Sequence, residues 1–290
     1  MKYAVFTVSL PDFSPLEAIA NAREWGFDGI EWRVTADSGD ISRPGFWSGN
    51  RCTLQAGWSD ARFREIAMAT ADAGLAVPNL GTYLGCSDPG AVERMMNVAG
   101  LFGAPSIRVG TAAYDGRTPY PVLFDGTVRH CARIEALAAQ YRLKVLFEIH
   151  MGTIIPSASA AHRLVSRFSP AHVGVIHDAG NMVYEGYENY QMGCELLGPY
   201  LAHVHAKNSA ASACAATGPQ SRLFQTGAAP MREGAVDFAA VFRALRQVGY
   251  DGWIAVEDFY TGAPLAARIP DDLCFLKNIE AFVRSSGNAA

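Results

Sequence analysis

Four segments in the second half of the chain end an apolar run with groups able to do acid–base or metal chemistry. FEIH carries Glu148 and His150, IHDAGN carries Asp178, HVHAKN carries His203, His205 and Lys207, and VED carries Glu257. Each run has strand length, so each sets an ionisable side chain at the C-terminal end of a β-strand, the end where barrel enzymes do their chemistry. Three carboxylates and an imidazole brought to one point repel unless a cation lies between them. Glu148, Asp178, His205 and Glu257 are therefore read as the ligands of one divalent metal ion. A set rich in oxygen with a single nitrogen suits Mn2+ best, suits Mg2+ as well, and is compatible with Co2+ or Zn2+.

Other side chains fall near these strand ends. His150 lies two residues beyond Glu148 and shares its strand face, either as a base near neutral pH or as a supporting group at the rim. Lys207 has the parity of His205 and either reaches substrate oxygens or pairs with a carboxylate. Arg108 ends an earlier strand, where it either holds an anionic group or sugar hydroxyl or forms a structural ion pair. Glu31 and Arg33 also end a strand and can pair with each other. Phe46, Trp47 and Trp58 occupy a Gly/Ser-rich loop, where they stack on a sugar ring, cap the pocket, anchor the loop or meet another subunit. His130 and His162 fall within helices and His172 precedes a strand. His177 points opposite to Asp178, and His203 sits one layer below His205 as a core or supporting group.

The elements that position these groups alternate without interruption, strand then helix, from end to end. The pattern predicts strands at Tyr3–Val8, Gly29–Arg33, Ala76–Leu80, Ser106–Val109, Lys144–His150, Val173–Asp178, Leu201–Lys207 and Gly252–Val256. Helices are expected between them: one opened by a Ser14/Glu17 capping box, one capped by Ser59, then 91–101, 121–141, 157–167, 187–197, one capped by Asp237, and a last one over 271–284. Gly26, Gly74 and Gly249 read as helix stops. Two long loops, one reaching Trp58 and one from Lys207 to Glu233, read as insertions on the active face. The terminal 285–290 is expected to fray. Eight such units predict a (β/α)8 TIM barrel, a single domain over 1–290, with an open doubly wound sheet as the alternative. The LPDFSP after the first strand lacks the glycine cluster of a dinucleotide site.

Composition agrees with this reading. Half of the 290 residues are apolar and 18% are charged, enough for a buried core without staples. The net charge of −4 argues against a nucleic-acid partner. Six scattered cysteines without a CxxC pair read as buried thiols in a reducing compartment. The N-terminal apolar run is too short for a secretory signal and no stretch is long enough to span a bilayer, so a cytoplasmic protein with no membrane partner is expected.

The stretches FEIHMG (147–152), VGVIHDAGNM (173–182), LAHVHAKN (201–208), REGAVDFAAVFRALRQVGYDGWIAVEDF (232–259) and AREWGFDGIEWR (22–33) together resemble the xylose isomerase-like barrel superfamily, which includes ketose 3-epimerases, inosose dehydratases and the endonuclease IV branch. The resemblance covers nearly the whole chain and is more specific in its second half. It implies metal ligation by Glu148, Asp178, His205 and Glu257, with Glu148 and Glu257 also the acid/base pair. Asn181 stands where the family often has a substrate-touching histidine. Arg232 departs from the family's usual loop before the VD motif. The implied activity is a sugar isomerase or epimerase moving a proton beside a keto-sugar carbonyl. The alternative is β-elimination from a 3-keto glycoside, as in the larger subunit of C-glycoside deglycosidases, with a small partner subunit. Otherwise a homo-oligomer is expected. Endonuclease-like DNA repair is disfavoured: no histidine precedes His130, and the charge is acidic.

Overall fold

The computed structural model describes residues 1–214 and 223–286. The first two elements show how the chain builds its repeat. Strand β1 (Lys2–Phe6) leads through a short 3-10 turn to helix α1 (Pro15–Glu24), whose N-terminus carries the full reciprocal Ser14/Glu17 capping box. Gly26, at φ +82°, then turns the chain into β2 (Gly29–Thr35) through a left-handed conformation that a side chain resists. A two-residue strand β3 (Leu54–Gln55) lies in the first long loop. It is followed by α2 (Asp60–Asp72), capped by Ser59, and β4 (Leu80–Gly85).

The rhythm continues with α3 (Pro89–Phe102), β5 (Ser106–Gly110), α4 (Tyr120–Tyr141), β6 (Lys144–Glu148), α5 (Ala158–Val165), β7 (Val173–Asp178), the single turn α6 (Ala179–Met182), α7 (Tyr190–Leu197) and β8 (Leu201–Ala206). Then come the hairpin strands β9 (Asn208–Cys214) and β10 (Leu223–Ala229), helix α8 (Phe238–Gln247) capped by Asp237, β11 (Trp253–Val256) and α9 (Leu265–Ser286).

Among the described residues, eight parallel strands form a closed ring in the order β1, β11, β8, β7, β6, β5, β4, β2, with β2 returning to β1. That closure is the (β/α)8 TIM barrel; the open sheet is excluded. Strand alternation sends Ile30, Trp32, Val145, Phe147, Val173 and Val175 outward into the large core shared with the helices. The barrel interior holds a separate, smaller apolar cluster of Ala4, Phe6, Val8 and Ala255, and polar side chains fill much of the rest. Gly81 is needed there, because a Cβ would lie 2.4 Å from the Phe6 ring.

Several boundaries differ from expectation, among them the end of β1 at Phe6 and the start of α7 at Tyr190. The third barrel strand begins at Leu80, not Ala76; Ala76 makes only an isolated bridge to Gly29, and Pro78 lacks the amide a continuous ladder needs. The fifth ends at Glu148, leaving His150 in the turn beyond it. The long loop after Lys207 contains an antiparallel hairpin with seven registered pairs, from Asn208↔Ala229 to Cys214↔Leu223. Its Ala/Ser-rich strands carry no alternation to read. The last helix starts at Leu265 and incorporates Pro270. The expectations for residues 215–222 and 287–290 lie outside the described residues.

Candidate active site

The mouth of the barrel is formed by the C-terminal ends of adjacent strands, and β6, β7, β8 and β11 are consecutive in the ring. In the register of the sheet Asp178 lies beside His205, one strand over from Glu148, while Glu257 follows the end of β11. One donor atom from each of Glu148, Asp178, His205 and Glu257 lies within 4.8 Å of the others, and all four residues are buried. His205 Nδ1 is 3.1 Å from Glu148 Oε1, 3.8 Å from Glu257 Oε2 and 3.9 Å from Asp178 Oδ2. Ligands held about 2.1 Å from one ion stand roughly 3 to 4.2 Å apart, so the group needs only slight contraction to fit a divalent cation. Asp178 divides its oxygens: Oδ1 accepts from Asn181 N at 2.8 Å, capping α6, and Oδ2 points into the cluster, 2.8 Å from Lys207 Nζ. Three buried carboxylates and one imidazole with ligand atoms this close together form a donor set that fits a cation site.

Two strong bases neighbour the cluster. Arg108 Nη1 pairs with Glu148 Oε2 at 2.5 Å, and its Nε donates to the Thr82 carbonyl at 3.1 Å. Lys207 Nζ pairs with Glu257 Oε2 and lies 2.8 Å from Asp178 Oδ2. Arg108 and Lys207 thus both form ion pairs while facing the cavity. Asn181 donates to Glu148 Oε1 at 3.2 Å and to the Ile149 carbonyl at 3.0 Å.

These contacts set the protonation states. Burial works against the charged form of Glu148, but Arg108, His205 and Lys207 outweigh it and hold the carboxyl well below the usual range. Burial pushes Asp178 up to about 7; Lys207 opposes the rise, and Glu148 and Glu257 add to it. Burial disfavours charged His205, yet Glu31 and Glu148 raise its proton affinity well above that of a free imidazole.

A second layer lies beneath. Glu31 is fully buried and accepts from His203 Nε2 at 2.8 Å, from Asn79 Nδ2 at 2.7 Å, and from His205 Nε2, which lies 3.3 Å from both of its oxygens. Burial favours neutral Glu31, but the two histidines prevail and keep it ionised well below the usual carboxylate range. The expected Glu31–Arg33 pair is not formed. Arg33 turns to Asp37 at 3.0 Å, to Thr53, and to the Trp47 carbonyl at 3.1 Å. The alternation of IEWR carried part of the signal, since it places Glu31 inside the barrel between outward-facing Ile30 and Trp32. Its partners come from distant strands and could not be read. His203 occupies the deeper supporting place expected of it, and His177 faces outward toward Tyr190 of α7, 6.4 Å between ring centroids.

The upper wall is aromatic. Asp37 accepts from the amides of Gly39, Gly49 and Asn50 at 3.0, 2.9 and 3.1 Å and so folds the first long loop over the barrel. That loop sets Trp47 4.8 Å from Phe259 and 6.3 Å from Tyr83, and Phe46 5.1 Å from Phe259. Trp58 does not share this wall; it packs on Phe63 and under Arg62, anchoring the loop to α2. A cavity of about 320 Å³ lies between this wall and the charged cluster, lined among others by Trp47, Tyr83, Arg108, His150, Lys207 and Glu257. His150 is half-buried in the turn, its Nδ1 2.6 Å from the Met151 carbonyl, with its ring on the cavity wall. Sequence reasoning missed Tyr83, which lies in a segment without a distinctive pattern, and Phe259, which closes the VEDF stretch but whose packing against Trp47 and Phe46 depends on how the first long loop folds.

Comparison with known proteins follows the same lines. An inosose dehydratase from Geobacillus thermodenitrificans is 28% identical over 130 residues, 43% of this chain and 43% of that enzyme, so the chain spans less than half the length of the curated relatives it matches. Among solved structures, the 3-keto-D-glucoside 4-epimerase of E. coli superposes with a TM-score of 0.70 at 19% identity, covering 96% of this chain and 99% of that one. A xylose isomerase-like barrel protein from Mycobacterium smegmatis in complex with magnesium gives 0.70 at 18% identity, covering 97% of both chains. Likeness at these identities speaks for the fold. The sequence profile of the xylose isomerase-like TIM barrel family matches residues 19–279, and by that match the chain belongs to this family.

Proposed function

We propose that the protein is a divalent-metal-dependent enzyme that removes a proton next to the carbonyl of a keto sugar and returns it, giving an isomer or epimer. The observation that carries this reading is the convergence of four buried ligand-type side chains from consecutive strand ends. Glu148, Asp178, His205 and Glu257 hold the ion, with Mn2+ the preferred metal. When bound, a divalent ion supplies the positive charge against which negative charge on a sugar oxygen is stabilised.

The remaining work falls to the chain. Glu148 and Glu257 come from the two ends of the four-strand arc, so one takes the proton from carbon and the other returns one to the opposite face. Arg108 and Asn181 fix the two oxygens of Glu148 and aim the carboxylate. Lys207, tethered to Glu257, donates to sugar oxygens, and the aromatic wall excludes water. The described residues include no helix long and apolar enough to cross a membrane.

A second reading is elimination, in which the same proton abstraction expels a group from the next carbon: water, or the aglycone of a 3-keto glycoside. The names of the curated relatives and the place of His150 on the cavity wall favour it. Purified protein with Mn2+ in deuterated solvent is expected to exchange the proton beside the carbonyl of a ketohexose or a 3-oxo glycoside. The exchange should be abolished by chelation and reduced ~100-fold or more by E148Q or E257Q. Exchange that survives both substitutions and the chelator defeats the proposal, and product analysis separates epimer from eliminated product.

A further inference from the structure

The cavity over the charged cluster, at about 320 Å³, lies at the small end of ligand sites and has room for one sugar ring. A second cavity of about 490 Å³ adjoins it and shares Trp47, Tyr83, Arg108, His150 and Met151 with it. This annex lies over the ends of β4, β5 and β6 and is completed by Val109, Gly110, Thr111 and Thr153. Its outer wall is fixed in place. The loops after β5 and β6 are stitched by Tyr114 N to the Gly152 carbonyl at 2.8 Å, by Ile154 N to the Ala112 carbonyl at 3.1 Å, and by a bridge between Ala113 and Thr153.

The charge of the annex is spent. Arg108 is committed to Glu148 and to the Thr82 carbonyl, and its guanidinium lies 4.3 Å over the Tyr83 ring. Among the described residues, Arg108 and Glu148 are the only Lys, Arg, Asp or Glu in its lining and they pair with each other, so it suits a neutral group better than a phosphate. Trp47 remains 56% exposed although its backbone is tied down by Arg33, which leaves a ring face open at the junction of the two cavities. Exposed aromatic faces of this kind stack on planar or C–H-rich rings.

We propose that the substrate is a neutral two-ring glycoside: the oxidised sugar lies over Glu148, Asp178, His205 and Glu257, and the second ring enters the annex against Trp47. The inference rests on the keto-sugar reading above and narrows its substrate class. Energy from binding the second ring, which does not react, then assists the reaction at the first.

The test compares three probes with the Mn2+-supplied full chain: phenyl 3-oxo-β-D-glucoside, 3-oxo-cellobiose and free 3-oxo-D-glucose, each followed by solvent deuterium incorporation. The glycosides are expected to show kcat/KM about tenfold or more above the free sugar. Trp47→Ala and, independently, Thr111→Trp, which fills the annex, are each expected to lower the glycoside-to-free-sugar ratio about tenfold. Preference for the phenyl compound assigns the annex to an aromatic aglycone, and preference for the disaccharide assigns it to a second sugar; both support the proposal. Equal use of all three probes, or equal sensitivity of all three to the two substitutions, overturns it while leaving the keto-sugar chemistry standing. Turnover of none of them removes that chemistry and the annex proposal with it.

Discussion

Replacing Glu31 by glutamine should weaken divalent-metal binding without touching a ligand. The carboxylate faces only donors: His203 Nε2 at 2.8 Å, Asn79 Nδ2 at 2.7 Å and His205 Nε2 at 3.3 Å. A glutamine at the same place has one acceptor oxygen and an amide that donates, so at least one of those contacts becomes N–H against N–H. Reversing the Asn79 amide would also require the Ser106 hydroxyl, which donates to Asn79 Oδ1 at 2.9 Å, to turn to the Pro78 carbonyl 3.0 Å away. The cheapest repair is a change of tautomer in a histidine, with Nε2 becoming an acceptor and the proton moving to Nδ1. In His205 that atom faces Glu148, Asp178 and Glu257, so the proton occupies the place a cation needs. Loss of such supporting partners typically costs 10- to 100-fold in metal affinity, about 1.4 to 2.7 kcal/mol. Titration of Mn2+ into E31Q by calorimetry or electron paramagnetic resonance at pH 7 reads this directly, with circular dichroism confirming the fold. A dissociation constant within threefold of the parent, in a folded variant, refutes the argument that Glu31 orients His205.

Two further outcomes test the packing and charge around the site. Gly180 has no room for a methyl group, since a Cβ would lie 2.5 Å from Lys207 Cγ and 2.7 Å from the Lys207 carbonyl. Gly180→Ala is expected to cost about 1–3 kcal/mol in urea denaturation and to displace Lys207 from Glu257; a loss under about 0.5 kcal/mol contradicts the close approach. Asp272 is buried beside Asp258 and Arg268 with its Oδ2 unpartnered. Burial, joined by the Asp258 charge and opposed by Arg268, pushes its carboxyl up to about 8. The folded protein therefore keeps a proton there that the unfolded chain gives up near pH 4, and stability falls as pH rises from about 4 toward 8. The slope from this group is at most ~1.4 kcal/mol per pH unit. Asp272→Asn should remove that slope, and parallel pH–stability curves for the two proteins would count against it.

The fold was legible because a parallel barrel writes its period into both layers. Outward residues such as Ile30, Trp32, Val173 and Val175 mark strands, and capping residues such as Ser14, Ser59 and Asp237 mark helix starts where the structure has them. The elements misplaced are those whose residues lack such marks. Pro78 delayed β4, and the small Ala and Ser side chains of β9 and β10 concealed a hairpin. The four-residue cluster was legible for a different reason: its members sit at the ends of successive strands, where register is nearly fixed by the sheet. Glu31 was not, because its importance comes from the ring closing. β2 and β8 are far apart in sequence and meet across the barrel interior, where the Glu31–His203 contact spans 172 positions.

That closure bears on how the site is held. The interior contains four carboxylates (Glu31, Glu148, Asp178 and Glu257), with Arg108 and Lys207 as the fixed cations and two histidines between them. Buried charges of this density are tolerated only when each has a partner, and removing one partner costs more than the pair contributes. The two layers therefore depend on each other. Glu31 supports His205 from below, His205 and Arg108 hold Glu148 from the side, and Lys207 joins Asp178 to Glu257. A substitution in the lower layer should thus register in the affinity for a cation in the upper layer as well as in stability, while the outer core of Trp32, Phe63 and Phe147 stays in place beneath the helices. Stability measured alone would miss that dependence; metal titration of a lower-layer variant would reveal it.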